Sequence, residues 1–484
     1  MKLKDLIDGI YAGPLALHYH DLEVAGISSD SRKVDPNEIF VALRGEQFDG
    51  RQFIPSAIAH GARIIVTDDA PAGVPGEDAC VLNVADTNSF LRQIAERFYG
   101  NPSRRVNVVG ITGTNGKTTI SYLVESILHR AQEECGVVGT VNYRVGRQVY
   151  PAVNTTPGFL ENQRLLYELA EQNIRYCVME VSSHALVQSR VDNIQFKAAV
   201  FTNLTQDHLD YHGTMENYFA AKSRLFELVR EDGVCCVNVD NDYGRRLYQQ
   251  LSQHVMTFGL NPRAEIHATD IRYSVRGTEF LLVTPHGEVR IVTPLLGEFN
   301  VSNILAAVCV GFHEGICLEA IHQGIEDLQC VPGRLESVES DRDYEILIDY
   351  AHTPDALRNV LAALRRVSPR RIILVFGCGG DRDRGKRPLM GRIAAAGADK
   401  IIVTSDNPRT EDPAQIIAEV ESGMKGGDYE VVVDREQAIA RGLNIAGEGD
   451  IVLIAGKGHE DYQVLGDRRI DFNERSVVRK VLRC

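Results

Sequence analysis

The clearest chemical signal in the chain is a glycine-rich segment, GITGTNGKTT, at residues 110–119. It follows an apolar run at 106–111 and opens a stretch with helical periodicity from about residue 117 to 131. Strand, glycine loop and helix stand in the order of a phosphate-binding loop, where backbone N–H groups and the positive end of the helix dipole contact phosphate oxygens. Lys117 would reach the outer phosphates of a nucleotide, and the Thr118 hydroxyl would bind Mg²⁺. The segment therefore predicts a nucleotide site.

The same segment departs from the standard G-x-x-x-x-G-K-[ST] pattern, whose first glycine would fall at Ile111. An ordinary glycine turn is therefore the structural alternative. A GTPase would also need a guanine-reading Asn-Lys-x-Asp segment, and the sequence contains none, so ATP is the expected nucleotide. A P-loop ATPase switch that regulates a partner is a second class of function, which the glycine loop alone leaves open.

The elements that must position this loop predict an α/β fold. Apolar runs at 39–43, 64–67 and 81–84 alternate with helical patterns and end at a turn-rich stretch, 98–103. Later runs at 106–111, 177–181, 198–202 and 234–239 are apolar throughout, which is typical of a parallel sheet covered on both faces. Residues 265–294 alternate like short antiparallel strands, and two helices follow, at about 300–315 and ending near 332–333.

The last part of the chain repeats the α/β pattern. Apolar runs at 345–349, 372–376, 400–404, 429–433 and 451–455 predict the strands of a small doubly wound sheet. We therefore expect three domains. These are an N-terminal small α/β domain at 1–101, a central P-loop domain with a parallel sheet at 102–332, and a C-terminal Rossmann-like domain at 333–484.

Composition excludes several classes of protein. Lys plus Arg number 52 and Asp plus Glu number 66, a net charge of −14, whereas nucleic-acid binding normally needs a basic surplus. No apolar run approaches the roughly 18 residues of a spanning helix. The ten cysteines are scattered without a C-x-x-C pair, which favours reduced thiols. We expect a cytoplasmic monomer with small-molecule substrates.

Six segments resemble, in family order, those of the Mur ligases, the ATP-dependent amide-forming enzymes of peptidoglycan precursor synthesis. They are TGTNGKTT at 112–119, EVSSH at 180–184, TNLTQDHLDYH at 202–212, Lys222, FNVSN at 299–303 and DYAHTP at 349–354. Four more resemble the members that add the third residue of the stem peptide: DSR at 30–32, NTT at 154–156, DNPR at 406–409 and GKGHE at 456–460.

This resemblance implies a reaction. The γ-phosphate of ATP would pass to the terminal glutamyl carboxylate of a UDP-N-acetylmuramoyl dipeptide and give an acyl phosphate. The amine of meso-diaminopimelate would attack that carbonyl, and phosphate would leave. The first domain would then bind the UDP substrate, the second ATP and the third the amino acid.

The resemblance also implies site residues. The catalytic residues would be Lys117, Glu180, His208 and Lys222. Mg²⁺ would be held by Thr118, Glu180, His208 and Lys222 carbamylated by CO₂, which requires burial that lowers the amine pKa. Taken alone, a capping glutamate, a surface histidine and a solvated helix lysine remain the alternatives.

The resemblance implies more residues for the substrate sites than for the catalytic and Mg²⁺ sites. ATP would contact Gly113, Thr114, Asn115, Gly116, Lys117, Thr118, Thr119, Asn303, Arg334 and Asp349. The UDP substrate would contact Ser29, Ser31, Glu46, Gln47, Phe48, Asn154, Thr155, Thr156, Ser182, Gln188 and Arg190. As alternatives, Asn303 would be a helix cap and Arg334 a linker charge.

Diaminopimelate would contact Arg382, Asp406, Asn407, Pro408, Arg409, Gly456 and Glu460. Its second carboxylate suits the guanidinium fork of Arg409, and Glu460 would take the distal ammonium. A plain Asx-Pro turn is the structural alternative for residues 406–409. A lysine-adding ligase and a folylpolyglutamate synthetase are the rival enzymes.

Overall fold

The computed structural model describes residues 1–45, 49–69 and 79–483. Contacts divide the chain into two compact units. The first comprises Met1–Asn107, Pro157–Arg175 and Ser189–Gln195, and the second comprises Val108–Thr156, Tyr176–Gln188 and Phe196–Cys484. The first unit thus takes two short segments from the middle of the sequence. The three-domain boundaries at 101 and 332 stay a prediction.

The N-terminal part forms a parallel four-stranded sheet in sequential order. Its elements are α1 (Leu3–Ile7), β1 (Gly26–Ser28), β2 (Glu38–Val41), α2 (Ile54–Ala59), β3 (Ile64–Thr67), β4 (Cys80–Asn83) and α3 (Thr87–Tyr99). Helix α3 begins where the Asp86 side chain accepts hydrogen bonds from Asn88 N and Ser89 N, and it ends at Gly100 in the left-handed conformation. Local capping and apolar strands therefore account for the predicted elements here.

The central part forms an eleven-stranded sheet in the order β15-β14-β13-β12-β11-β10-β5-β9-β6-β7-β8. Its strands are β5 (Asn107–Thr112), β6 (Cys135–Val138), β7 (Asn142–Val145), β8 (Gln148–Pro151), β9 (Tyr176–Glu180), β10 (Phe196–Phe201), β11 (Val229–Asn238), β12 (Val255–Gly259), β13 (Ile266–Ser274), β14 (Gly277–Thr284) and β15 (Gly287–Thr293). Its helices are α4 (Lys117–Arg130), α5 (Phe159–Glu171), α6 (Ser183–Val187), α7 (Leu209–His212), α8 (Met215–Glu227), α9 (Asp242–Gln250), α10 (Glu298–His313) and α11 (Leu318–Asp327).

The middle strands of this sheet are buried and parallel, as predicted. Strand β10 lies parallel to both β5 and β11, and apolar residues of these strands form one core with the buried faces of α4 and α10. The stretch at 265–294 is antiparallel, as expected, and it extends the edge of the same sheet. The prediction for the helix after α10 was wrong at its end, because α11 stops at Asp327 and an irregular turn follows.

The C-terminal part forms a six-stranded sheet in the order β16-β17-β21-β18-β19-β20, parallel except for β16, and a separate hairpin of β22 and β23. Its strands are β16 (Glu336–Ser337), β17 (Glu345–Asp349), β18 (Ile372–Phe376), β19 (Lys400–Val403), β20 (Tyr429–Val431), β21 (Ile451–Ala455), β22 (Tyr462–Leu465) and β23 (Arg468–Asp471). Its helices are α12 (Pro354–Arg366), α13 (Lys386–Gly397), α14 (Pro413–Glu421), α15 (Arg435–Ile445) and α16 (Glu474–Leu482). The α/β fold class predicted from the sequence is confirmed.

Within the described ranges, no helix is long and apolar enough to cross a membrane. The nine cysteines in the described part of the chain are all free thiols, as the scattered spacing predicted.

Candidate active site

The glycine loop connects β5 to α4, at the carboxyl end of a central parallel strand. Gly113 has a φ of +149°, and a Cβ there would lie 1.8 Å from Thr202 Oγ1. Gly116 has a φ of +94° and directly precedes Lys117, the first residue of α4. Both positions exclude a side chain, so the backbone at Gly113 and Gly116 can approach a phosphate group closely. The N–H groups of Thr114 and Asn115, between them, donate to Asn203 O at 2.9 Å and to Asn203 Oδ1 at 3.1 Å.

Two lysines converge on the carbonyl of Gly113. Lys117 Nζ donates to Gly113 O at 2.9 Å and to Thr114 O at 2.9 Å. Lys222 Nζ donates to the same Gly113 O at 2.8 Å, although Lys222 belongs to α8 and its side chain is only 1% exposed. Burial lowers the pKa of Lys222 well below its usual value, and the neighbouring Lys117 lowers that pKa further. The solvated-lysine alternative for Lys222 was wrong, because Lys222 is enclosed.

Glu180 is the acceptor at the centre of the loop's polar network. It ends β9, is 1% exposed, and accepts hydrogen bonds from Thr118 Oγ1 at 3.1 Å and from Thr140 N and Thr140 Oγ1 at 2.9 Å each. Arg334 Nη2 donates to Thr118 Oγ1 at 3.1 Å. A hydroxyl and a carboxylate side by side are the hard oxygen ligands that Mg²⁺ prefers. Sequence reasoning missed Thr140.

His208 lies in the loop after β10, with a φ of +52° just before α7. Its ring is edge-on to His184 with ring centres 4.8 Å apart, and Nε2 lies 3.4 Å from Asp207 Oδ2. Desolvation lowers the pKa of His208, against the opposing effect of Asp207, and this favours the neutral imidazole. Over the described ranges, no three His, Cys, Asp or Glu side chains are grouped to hold a metal ion. The four-residue Mg²⁺ set therefore stays a prediction, with Thr118 and Glu180 in direct contact.

Asn303 lies inside α10 and not at its start, so the helix-cap alternative was wrong. Its side chain is 6% exposed, and its Oδ1 would lie 2.4 Å from a Cβ at Gly116. Asn303 Nδ2 donates to Asn300 Oδ1 at 3.0 Å. The amide is thus fixed directly behind the glycine loop, and its contact with ATP stays a prediction.

Asp349 ends β17 and shapes the turn that carries Arg334. Its carboxylate accepts from Leu335 N at 2.7 Å and from Ala351 N at 2.7 Å. Burial raises the pKa of Asp349, while Arg334 opposes that rise. Arg334 also lies over the Tyr350 ring, 4.6 Å from its centre. Arg334 and Asp349 therefore connect the C-terminal sheet to the phosphate loop.

A second connection between the C-terminal sheet and the glycine loop was not predicted from the sequence. Asp355, in the first turn of α12, accepts from Asn115 Nδ2 at 3.0 Å and from Thr205 Oγ1 at 3.2 Å. Its position directly after DYAHTP was the one available signal. Asp355 holds two loop side chains of the central sheet against the C-terminal sheet.

The residues expected to bind the UDP substrate fall on both units. Those in the first unit are Ser29, Ser31 and Arg190, and those in the second are Asn154, Thr155, Thr156, Ser182 and Gln188. Glu46, Gln47 and Phe48 lie outside the described residues. In the second unit Thr156 Oγ1 donates to Glu180 O at 2.9 Å, and Ser182 N donates to Thr156 Oγ1 at 3.0 Å. The structure therefore joins part of the predicted UDP set to the Glu180 strand.

The GKGHE and DNPR segments meet around one buried lysine. Lys457 is 0% exposed, and its ammonium donates to Asn407 Oδ1 at 3.0 Å and to Glu460 Oε2 at 3.1 Å. Asn407 Nδ2 donates to the same Glu460 Oε2 at 2.9 Å, and Asp406 Oδ1 lies 3.6 Å from the ammonium. Gly456, with a φ of +123°, leaves room for Asp406, because a Cβ would lie 2.6 Å from Asp406 Oδ2. Lys457 belongs to the GKGHE segment, but it was not predicted from the sequence as a diaminopimelate-site residue.

Arg409 and Pro408 lie beside this cluster, against the β22–β23 hairpin. Arg409 N donates to Val464 O at 3.2 Å, and Gly466 N donates to Arg409 O at 2.7 Å. The guanidinium donates to Gly380 O at 2.7 Å, and burial and the nearby Arg382 lower the pKa of Arg409. Residues 406–409 therefore pack against the hairpin and the GKGHE segment, and the diaminopimelate site stays a prediction.

Buried ion pairs hold the loops that carry these groups. Arg435 and Glu474 are both fully buried, and Arg435 donates to Ala455 O at 2.8 Å, at the end of β21. Arg387, also 0% exposed, donates to Glu411 and to Gly379 O at 3.2 Å. These arginines fix the loops after β18, β19 and β21, and no spacing in the sequence pointed to them.

Comparison with known proteins agrees with this geometry. Residues 23–99 match the Mur ligase family catalytic domain, residues 111–311 the Mur ligase middle domain, and residues 333–458 the Mur ligase glutamate ligase domain. A UDP-N-acetylmuramoyl-L-alanyl-D-glutamate--2,6-diaminopimelate ligase of Solibacter usitatus is 45% identical over 489 residues, covering 100% of this chain and 98% of that protein. The ligase of the same name from Gloeobacter violaceus is 47% identical over 464 residues, covering 96% and 94%.

Solved structures give the same picture. One UDP-N-acetylmuramoyl-L-alanyl-D-glutamate--2,6-diaminopimelate ligase superposes with a TM-score of 0.68 at 34% identity, covering 100% of this chain and 99% of that one. A Mycobacterium tuberculosis folylpolyglutamate synthase complexed with ADP has a TM-score of 0.63 at 19% identity over 75% of this chain and 90% of that one, a likeness of fold alone. The family predicted from the sequence is confirmed: the chain belongs to the Mur ligases.

Proposed function

We propose that the protein is an ATP-dependent ligase that joins meso-diaminopimelate to the D-glutamyl carboxylate of UDP-N-acetylmuramoyl-L-alanyl-D-glutamate. The observation that supports the choice of amino acid is the partly buried Arg409 in the same segment as Asn407, whose side chain is hydrogen-bonded to Glu460. A guanidinium and a carboxylate on these two neighbouring segments would suit the carboxylate and ammonium at the distal end of diaminopimelate. The names of the relatives similar over the full chain agree with it.

The nucleotide end of the proposal rests on the glycine loop. Lys117 would leave the carbonyls of Gly113 and Thr114 to contact the outer phosphates, and Arg334 would add a second positive charge beside Thr118. Thr118 and Glu180 would hold Mg²⁺, which supplies charge stabilisation to the transferring phosphoryl group. Asn303, behind the loop, would face the nucleoside.

The chemistry then takes two balanced steps. In the first, the substrate carboxylate attacks the γ-phosphorus of ATP and the bond from that phosphorus to the β-phosphate oxygen breaks. The products are ADP and an acyl phosphate. The neutral amine of diaminopimelate attacks the acyl carbon, the tetrahedral adduct expels inorganic phosphate, and the amine proton passes to solvent or a nearby base. Positive side chains around the loop stabilise the charge on the transferring oxygens.

Lys222 is the proposed site of carbamylation. Its neutral amine would add to CO₂ and give a carbamate with loss of one proton. The enclosed position and the nearby Lys117 ammonium both favour the neutral amine that this reaction needs. A carbamate would also put a negative charge near the Lys117 ammonium, which is an attractive pair, and supply an oxygen toward Mg²⁺.

The alternatives are less well supported. Lysine lacks the second carboxylate and would leave Arg409 without its charged partner. The folylpolyglutamate synthase shares the fold alone, and a regulatory ATPase switch would give the Lys457 cluster no role. ATP and the UDP substrate are cytoplasmic metabolites, which supports a cytoplasmic enzyme, and a monomer remains our expectation.

The proposal is tested by measuring ADP release from purified protein with ATP, Mg²⁺, the UDP-dipeptide and meso-diaminopimelate, each omitted in turn. We expect turnover only when all are present, and a strong preference for diaminopimelate over lysine. Equal turnover with lysine would assign the protein to the lysine-adding members, and no turnover with either amino acid would refute the ligase.

A further inference from the structure

A buried cation lies at the centre of the cluster formed by the DNPR and GKGHE segments, and the proposed reaction gives it no part. The Lys457 ammonium is completely enclosed, directly after β21. It contacts three acceptors, Asn407 Oδ1, Glu460 Oε2 and Asp406 Oδ1. Enclosing an ammonium is costly unless it is paired, so such a group persists where its partners hold it in place.

The geometry fixes the orientation of the Asn407 amide. Its Oδ1 accepts from both Lys457 Nζ at 3.0 Å and Val464 N at 2.9 Å, so its Nδ2 must face the other way. That Nδ2 donates to Glu460 Oε2 at 2.9 Å. By binding Asn407 Oδ1, Lys457 therefore turns the Asn407 amide so that its NH₂ group faces Glu460.

Lys457 also fixes the Glu460 carboxylate directly. Both the ammonium and the Asn407 amide donate to the same oxygen, Oε2. Within the described part of the chain, no hydrogen-bond donor reaches the other oxygen, Oε1. A carboxylate held by one oxygen presents the second oxygen in a defined direction, which suits a charge-assisted bond to a ligand ammonium.

We propose that Lys457 is a positioning residue for amino-acid specificity, which orients Glu460 and Asn407 so that Glu460 Oε1 reads the distal ammonium of the incoming amino acid. This inference deepens the proposed function and depends on it. Lys457 does not contact the reacting carbonyl or the nucleotide in this scheme. Its loss should therefore affect recognition of one substrate and leave the others unchanged.

The test compares Lys457→Met with the wild type on two amino acids, meso-diaminopimelate and 2-aminopimelate, which keeps both carboxylates but lacks the distal amine. For diaminopimelate we expect kcat/KM to fall about 10- to 100-fold, the value of one or two charged hydrogen bonds, chiefly through KM. For 2-aminopimelate we expect a change of no more than about 3-fold. The KM values for ATP and the UDP-dipeptide should stay within about 2-fold.

A double-variant cycle with Glu460→Gln distinguishes positioning from general support of the fold. If Lys457 acts through Glu460, adding Lys457→Met to Glu460→Gln should cost little more than Glu460→Gln alone. Multiplicative losses, or an equal fall on both amino acids, would overturn the inference. Lys457→Gln, which can still hydrogen-bond, serves the same comparison if the methionine variant does not fold.

The outcomes separate this inference from the proposed function. A wild type without diaminopimelate-dependent ADP release refutes the proposed function. An active wild type whose Lys457 variants use diaminopimelate with unchanged kcat/KM refutes only the role of Lys457.

Discussion

Replacing Arg409 with alanine should remove recognition of diaminopimelate while sparing the rest of the enzyme. The position has a φ of +53°, and alanine carries the same Cβ strain there as arginine, so the substitution does not alter the backbone cost. The backbone bonds of residue 409 to Val464 and Gly466 also remain. The change is therefore confined to the guanidinium.

The magnitude follows from what the guanidinium would bind. A fork that donates two charge-assisted hydrogen bonds to a carboxylate is worth about 3–6 kcal/mol before compensation. Arg382 still contributes a positive charge, and Arg409 is only partly buried, so water can replace its guanidinium and we expect a net loss of about 2–4 kcal/mol. That corresponds to a fall of about 30- to 1000-fold in kcat/KM for diaminopimelate.

The assay is coupled ADP release with each substrate varied in turn, for Arg409→Ala and for a matched control, Arg272→Ala. Arg272 is a 66% exposed arginine on β13, far along the sequence from the DNPR segment. We expect KM for ATP and the UDP-dipeptide to stay within about 2-fold in both variants, and the preference for diaminopimelate over lysine to collapse only in Arg409→Ala. A comparable loss of ATP affinity, or an unchanged preference between the two amino acids, would refute the reasoning.

Three further predictions concern buried or partly buried charged groups elsewhere in the protein. Lys222→Ala should lower kcat about 100-fold or more, with partial rescue by added acetate. The carbamate signal seen by NMR with ¹³C-bicarbonate should also vanish in this variant, and full activity of the variant would exclude a carbamate role. Arg435→Met should destabilise the protein by about 3–5 kcal/mol in urea unfolding, because Glu474 is left buried and unpaired, and adding Glu474→Leu should recover most of that loss. The Arg387 guanidinium lowers the pKa of Glu411 from its usual 4.5 to about 2. The ionised Glu411 therefore stabilises the folded protein fully above pH 4.5, and this contribution is lost as pH falls toward 2. The difference in thermal midpoint between wild type and Glu411→Gln should shrink over that range, and a constant difference would contradict the assignment.

The fold was predictable where local sequence and burial agree. Strands β18 and β21 are fully buried and apolar, and β17 has a buried apolar centre between Glu345 and Asp349. The bounds of all three match the predicted runs at 345–349, 372–376 and 451–455. The strand–loop–helix of β5 and α4 was found for the same reason, since the glycines fix the turn between two apolar elements. In these elements the residue pattern and the tertiary environment favour the same structure.

The β22–β23 hairpin was missed although a signal existed. All four residues of β23 are exposed, so no apolar alternation marks it as a strand. The two residues between the strands, Gly466 and Asp467, form the two-residue hairpin loop that such a pair requires, with Gly466 at a φ of +61°. What no local pattern could show is that β22 pairs with the backbone around Arg409, because that contact joins segments far apart in the chain.

Lys222 shows how a site residue could have been found without a family. In α8 the buried residues Tyr218 and Phe219 lie four and three positions before Lys222, and Leu225 and Phe226 lie three and four positions after it. Lys222 therefore lies in the middle of an apolar helix face. A lysine there must be paired, neutral or modified, since an isolated buried ammonium is too costly. The structure gives its ammonium the carbonyl of Gly113 and the ring of Tyr218, 4.6 Å away. Burial and the like-charged Lys117 lower the pKa of Lys222, and Asp207 opposes them less strongly. A buried ammonium on which another cation acts more strongly than the one anion is the state that a carbamate would relieve. For that reason the proposed modification follows from the placement of Lys222 as much as from the family to which the chain belongs.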